Sequence, residues 1–451
     1  MKIVIVGCGK VGESLCEELA SEQNDVLVIE KNAQTLERVI NKYDISGIVG
    51  NGASVDIQRE LGVDSADMFI AVTEMDEINI ISAVLARQLG AKYTVARVRN
   101  PEYSAQLSFV RESLGISLLL NPELSAAQDI ARVLRFQSAL SVESFAGNRV
   151  NLVEVDVEPG SMLADMNLRE FRVKFGSVLV CVIHRDDEII IPSGENFIRE
   201  GDRIHVTGSA EDMAQFLKKV GRQEKKIRSV MVVGGGKIAY YLMKALEKSR
   251  IDMRVIEVRE ERAALLSQEF PTVEIIHADG TDQDILDEQQ LEDYDAFVSL
   301  TGVDEENLVM SVYARHKGVR KVITKMSRLE ILKVLGDVQI RSIITPKQLV
   351  ANQIIQFVRA RANAQGSNVE ALYRLVNNEV EALQFRVKRG SRVCDIPFAQ
   401  LQTKPNLLIA YIIRGEQLIF PGGNDTLQAH DRVIIVTKNK TFTDLDDILE
   451  D

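Results

Sequence analysis

The chain has 451 residues, and at roughly 100 to 200 residues per domain that length calls for two to four domains and excludes a single compact one. Hydrophobic residues make up 45% and charged residues 27%, with a mean hydropathy of -0.03, a profile that excludes a disordered or membrane-embedded chain. Sixty-six acids against 54 bases give a formal charge of -12, and without a run of five basic residues this argues against nucleic acid as a partner.

In chain order, Lys2 to Val6 reads as a first strand rather than a signal peptide, so a cytoplasmic protein is expected. Gly7-Cys8-Gly9-Lys10-Val11-Gly12 follows, and Val11, Leu15 and Leu19 then form an i, i+4 stripe that predicts a helix packed on a sheet. Val26 to Ile29 is a second strand ending at Glu30; Asn51-Gly52 follows a third, Thr73-Glu74 ends a fourth and Arg97 a fifth. Asp76 and Glu77 open a helix, where capping and dipole roles are expected for their carboxylates. Farther on, Val153 to Val157 alternates with period two, which predicts a half-buried strand.

The chain then repeats. Gly234-Gly235-Gly236-Lys237-Ile238-Ala239 matches the first loop at an offset of 227, and Glu257 matches Glu30. After a one-residue insertion Asp279, Thr301, Asp304, Asn307 and Lys325 match Asn51, Thr73, Asp76, Asn79 and Arg97. Leu383 to Val387 and Asp431-Arg432 repeat Val153 to Val157 and Asp202-Arg203. Polar or charged stretches at 143–149, 221–228 and 362–370 separate the parts. The expected domains are residues 1–142, 143–221, 228–361 and 368–451. The first and third alternate strand and helix, predicting α/β, Rossmann-like, doubly wound parallel sheets; the second and fourth are small α+β modules.

The glycine-rich loops carry the chemistry. With a strand before, a helix behind and an acid 21 residues beyond Gly9, the first loop meets the dinucleotide fingerprint. Gly7 permits the tight turn, Gly9 the approach of backbone to a pyrophosphate, and Gly12 close packing of helix on strand. The helix N-terminus offers unpaired N–H groups to phosphate. Glu30 would accept from ribose hydroxyls, favouring NAD-type or adenosine ligands over a 2′-phosphate. Asn51 and Asp279 would meet adenine or ribose. Arg97 reads either as a phosphate partner or as a salt-bridging residue. The second loop has Ala239 in place of the third glycine, a tolerated variant. Neither Lys10 nor Lys237 is followed by Ser or Thr, which excludes a Walker A loop. No histidine or cysteine recurs at equivalent places in both halves, so no catalytic residue is assigned, and no ligand spacing points to a metal. Cys8, Cys16, Cys181 and Cys394 form no Cys-x-x-Cys pair and read as reduced structural residues.

The order GCGKVG, an acid ending the second strand, GNGA, DADMFIAVTEMDEIN and ARVR, followed by a strand-rich module and then duplicated, resembles the TrkA family over essentially the full chain. These are peripheral cytoplasmic subunits of bacterial Trk potassium uptake systems, built from tandem RCK (KTN) domains. The resemblance implies binding of NAD(H) or ATP/ADP by the larger domains, RCK C-terminal (TrkA-C) character for the smaller ones, and a homo-oligomeric ring, a tetramer, beneath a potassium-translocating membrane subunit. By position it assigns Gly7, Cys8, Gly9, Lys10, Val11, Glu30, Thr73, Glu74 and Arg97 to a first site. Gly234, Gly235, Gly236, Lys237, Ile238 and Glu257 fall to a second. Glu30 stands where the family more often has Asp. Two rival readings remain at this stage: an NAD-dependent oxidoreductase, and a cyclic di-AMP sensor acting through the small modules.

Overall fold

The computed structural model describes residues 1–451 except 23, 105–106, 136–141, 146–149, 187, 222–225, 329–330, 332–341, 363–368, 376–378, 440–441, 443 and 451. The three expected domain junctions lie partly outside the described residues.

Strands β1 (Lys2–Val6), β2 (Asp25–Glu30), β3 (Ser46–Val49), β4 (Met68–Ala71), β5 (Tyr93–Arg97) and β6 (Leu118–Leu120) form a parallel sheet in the order β3-β2-β1-β4-β5-β6. Ile3 stands between Val26 and Met68, so β1 is central, and its burial on both faces explains why it reads as a continuous apolar run. Helices Lys10–Ser21, Ala33–Tyr43, Asp76–Leu89 and Pro122–Arg135 connect or flank the strands. The chain reverses its winding between β1 and β4, which leaves a crevice at their carboxyl ends.

Next come β7 (Val142–Phe145), β8 (Val150–Asp156), β9 (Leu179–Arg185), β10 (Glu188–Ile190) and β11 (Arg203–Gly208), an antiparallel sheet ordered β10-β9-β11-β8-β7. The second half repeats both architectures. Strands β12 (Ser229–Val233), β13 (Asp252–Glu257), β14 (Glu274–His277), β15 (Ala296–Ser299), β16 (Lys321–Lys325) and β17 (Ser342–Ile344) give β14-β13-β12-β15-β16-β17. Then β18 (Val369–Leu375), β19 (Val380–Arg386), β20 (Leu407–Arg414), β21 (Gln417–Ile419) and β22 (Arg432–Thr437) give β18-β19-β22-β20-β21. Two Rossmann-like parallel sheets thus each precede a small antiparallel sheet.

In space the chain groups like with like: one compact unit is residues 1–135 with 227–355, the other 136–226 with 356–451. In the first unit, Ala126, Ile130 and Leu134 of helix Pro122–Arg135 share a core with Tyr241, Leu242 and Leu246 of helix Lys237–Leu246. In β12, Val230 and Val232 face this core while Met231 and Val233 enter another with Phe297 and Met310, as the two-residue period of a strand demands.

The second unit corrects the half-buried expectation for β8 and β19. One face of β8 packs Val153 and Val155 on Phe171, Phe175 and Phe216, whose ring centroids lie 4.7 to 5.7 Å apart. Its other face joins Val150 and Leu152 to Val380, Ala382 and Tyr411 of the last module in one core. Both strands are therefore covered on both sides. Polar residues of the alternation are paired: Glu154 with Arg203 at 3.1 Å, and Gln384, whose Nε2 donates to Glu370 Oε2 at 2.8 Å.

A matched ion pair closes each small module. Arg185 donates through Nε and Nη2 to Asp202, both at 2.7 Å, and Asp202 also accepts from the Arg199 N–H at 2.7 Å while only 1% exposed. Arg414 and Asp431 repeat the fork. Removing the arginine strands the buried Asp202 carboxylate, so Arg185→Ala is expected to lose about 3 kcal/mol in urea denaturation. A loss below about 1 kcal/mol would contradict the buried-pair assignment. All four cysteines are free, and among the described residues no helix is long and apolar enough to cross a membrane.

Candidate functional site

A cleft of about 880 Å³ opens at the reversal between β1 and β4. Gly7, Cys8, Gly9, Lys10, Val11, Glu30, Asn51, Thr73, Glu74 and Arg97 all line it. The geometry follows from the loop. Gly7 sits at φ +96°, a conformation L side chains rarely adopt, and its N–H donates to the Ile29 carbonyl at 2.9 Å. Glu30 then braces the turn: Oε2 accepts from the Cys8 N–H at 2.7 Å and Oε1 from the Asn32 N–H at 2.9 Å. Gly9 caps helix Lys10–Ser21 in extended backbone with no side-chain cap, so the first-turn N–H groups have no intrahelical acceptor and the positive dipole end faces the cleft.

Gly12 does not line the cleft. A Cβ there would lie 1.8 Å from the Gly7 carbonyl oxygen, so its role is packing, as the motif's third glycine requires. Cys8 is buried; its partner Cys16 and then burial push the thiol up, away from a reactive thiolate.

The opposite wall is held by Asn79, which is fully buried. Its Oδ1 accepts from Thr73 N–H at 2.8 Å and Thr73 Oγ1 at 2.7 Å, and its Nδ2 donates to the Thr73 and Arg97 carbonyls, both at 3.0 Å. Arg97, 9% exposed, donates from Nη2 to the Thr73 carbonyl, while its Nε is buried without a partner. Burial, and then the neighbouring Arg99 charge, pull this guanidinium below its ordinary value. A desolvated cation at the rim of a glycine-rich loop is stabilised by an anion. No acid salt-bridges Arg97 among the described residues.

Asp76 corrects the capping expectation. Its Oδ2 accepts from the Arg99 and Asn100 N–H groups, both at 2.8 Å, so it ties down the segment after β5 rather than its own helix. Asp304 does the same for Ser327 and Arg328.

The second copy keeps the skeleton but not the cleft. Gly234 is at φ +100°, Gly235 N–H donates to Glu257 Oε2 at 2.8 Å, and Asn307 bridges Thr301 and Lys325 as Asn79 bridges Thr73 and Arg97. Lys325 Nζ donates to the Thr301 carbonyl at 2.7 Å, and burial pulls its ammonium below the ordinary value. Gly236 and Lys237 line a separate cleft of about 640 Å³, together with Asn100, Tyr240, Arg259 and Arg262; Gly234, Gly235, Ile238, Glu257 and Asp279 do not. Glu257 is 4% exposed. Burial pushes its carboxyl up, but the Arg259 N–H and guanidinium and the Gly235 N–H outweigh this and hold it below the usual carboxylate range. Asp279 is engaged in its own turn, where its Oδ1 accepts from Thr281 N–H and Oγ1 at 3.0 and 2.7 Å.

The TrkA-N domain model matches residues 3–122 and 230–346, and the TrkA-C domain model matches residues 152–221 and 382–450. The chain belongs to the TrkA family. It is 32% identical over 443 residues to the Trk system potassium uptake protein TrkA homolog of Archaeoglobus fulgidus, covering 97% of each chain. Its fold is similar to that of the GsuK RCK domain, with TM-score 0.63 at 15% identity over 96% of this chain and 92% of that one. The GsuK channel bound to NAD gives TM-score 0.62 at 14% identity, over 97% and 76%.

Within this TrkA-family frame, the first cleft also draws in Lys31, Arg38 and Arg99, which motif spacing does not single out. Arg38 arrives from helix Ala33–Tyr43 and pairs with Glu13 at 3.0 Å; Arg99 pairs with Glu123 at 2.6 Å. The recurrence of Asn79 and Asn307 in both halves was the available signal for the buried amide.

Proposed function

We propose that the chain is a cytoplasmic, nucleotide-binding regulatory subunit of a Trk-type potassium uptake system. It gates transport by a membrane-embedded partner in response to NAD(H) or adenine nucleotides, and it works as a homo-oligomeric ring, a tetramer. The observation that carries this reading is the first cleft, where Gly9, the open helix end, Glu30 and the unpaired Arg97 Nε converge. Backbone N–H groups would take the pyrophosphate, Arg97 a phosphate oxygen, and the remaining lone pairs of Glu30 a ribose hydroxyl. The GsuK channel bound to NAD shares the fold, which supports such a ligand here.

The residues in the cleft bind and position; none is assigned a catalytic role. Ligand exchange acts by differential affinity for two ring states, and a coupling of about 1 to 3 kcal/mol is sufficient to move the population. Potassium flux through the reconstituted membrane partner is expected to change severalfold between NADH, NAD+, ATP and ADP. Flux that is identical across all four overturns the proposal, and steady consumption of NADH by the isolated chain favours an oxidoreductase instead.

A further inference from the structure

We propose that the second glycine-rich loop selects nucleotides carrying a phosphate monoester on the adenosine ribose, with Arg259 and Arg262 as the specificity-determining residues. This rests on the reading of both loops as nucleotide sites and goes beyond it in making the two sites chemically unequal.

The two copies differ where ribose specificity is set, just beyond the acid that ends the second strand. In the first copy the two positions are Asn32 and Thr35; in the second they are Arg259 and Arg262. Each arginine is anchored by one nitrogen. Arg259 Nε donates to Glu257 Oε1 at 3.0 Å, and Arg262 Nε donates to the Gly235 carbonyl at 2.9 Å. Their terminal nitrogens engage no acceptor among the described residues, and both side chains line the 640 Å³ cleft beside Lys237. Two oriented guanidinium forks with unused donors suit a dianionic phosphate, which takes bidentate hydrogen bonds from such forks.

Glu257 itself is not the competitor for that phosphate that an isolated carboxylate would be. Its Oε1 is taken by the Arg259 N–H and Nε and its Oε2 by Gly235 N–H, leaving it neutralised and 4% exposed. Glu30 accepts only two backbone N–H groups and keeps capacity for a ribose hydroxyl. The nearby cations of the first cleft do not reproduce the arrangement: Lys31 is a single ammonium, and Arg38 is paired with Glu13 at 3.0 Å.

Calorimetric titration of the full chain with NAD+ and NADP+ tests this, using Gly9→Trp to block the first loop and Gly236→Trp to block the second. In Gly9→Trp, NADP+ is expected to bind about tenfold or more tighter than NAD+, and the order is expected to reverse in Gly236→Trp. Adding Arg259→Ala and Arg262→Ala to Gly9→Trp should erase the preference while NAD+ still binds; because Arg259→Ala leaves the buried Glu257 without its ion-pair partner, a lower melting temperature is expected alongside. Equal or tighter NAD+ binding in Gly9→Trp overturns the selectivity and leaves both loops as nucleotide sites. Binding of neither nucleotide in Gly9→Trp, with NAD+ still bound by Gly236→Trp, removes the second loop from the nucleotide sites and overturns the inference alone. Binding of neither by the unaltered chain defeats the nucleotide reading itself.

Discussion

Gly9→Trp is expected to abolish nucleotide binding at the first loop, by a hundredfold or more in Kd on the order of 3 kcal/mol, while leaving the protein folded. The reason lies in the backbone. Gly9 is at φ -67° and ψ -172°, which any L residue adopts, and a Cβ placed there has nothing within 4 Å. The space it would enter is the cleft. An indole therefore takes the place of the pyrophosphate without disturbing a neighbour. The contrasting substitution is Gly12→Ala, whose single methyl group would stand 1.8 Å from the Gly7 carbonyl oxygen. It is expected to cost about 3 kcal/mol of stability, and binding would fall only because the loop is displaced. Thermal melts and titration of the two variants separate the roles. A protein carrying both Gly9→Trp and Gly236→Trp that binds NAD+ or ADP with unaltered affinity would rule out the site.

Asn79→Leu is the second large effect. The side chains are nearly equal in size, so packing is preserved, but four hydrogen bonds to Thr73 and Arg97 disappear inside the protein. The Thr73 N–H and the Arg97 carbonyl lose a partner in a region closed to water, at about 1 to 3 kcal/mol for each buried group left unsatisfied. A loss of about 3 kcal/mol in urea denaturation is expected, with nucleotide affinity falling more than stability alone explains because Thr73 and Arg97 no longer hold their places. Asn79→Asp separates the two contributions: Oδ1 can still accept from Thr73, but the donor to the Arg97 carbonyl is gone. Wild-type stability in Asn79→Leu would show that the amide bridge contributes nothing.

The parallel sheets were legible because β1, β2, β4 and β5 are short apolar runs between loop signals, and a strand covered on both faces by helices needs no polar alternation. The loop-strand-acid spacing likewise placed Gly7, Gly9 and Glu30 around one cleft, since those residues are within 30 positions of each other and joined by local hydrogen bonds. Residues that reach the cleft from other elements were harder. Arg38 and Arg99 have no motif, and the role of Asp76 was misread because a carboxylate at a helix start resembles a cap whether or not it bonds elsewhere.

The sequence by itself determined the duplication, the Rossmann-like and small α+β folds, and the phosphate-facing loop, because these depend on periodicity and spacing within a few dozen residues. Tertiary structure alone decided three other matters. It grouped the large domains with each other and the small ones with each other, burying both faces of β8 and β19 although their alternation suggested one. It left Arg97 desolvated with an unpaired Nε. It also brought Arg38 and Arg99 to the first cleft from other elements. Burial, unpaired polar atoms and ion pairs depend on which distant surfaces meet, and that information is carried by packing across hundreds of residues rather than by any local pattern.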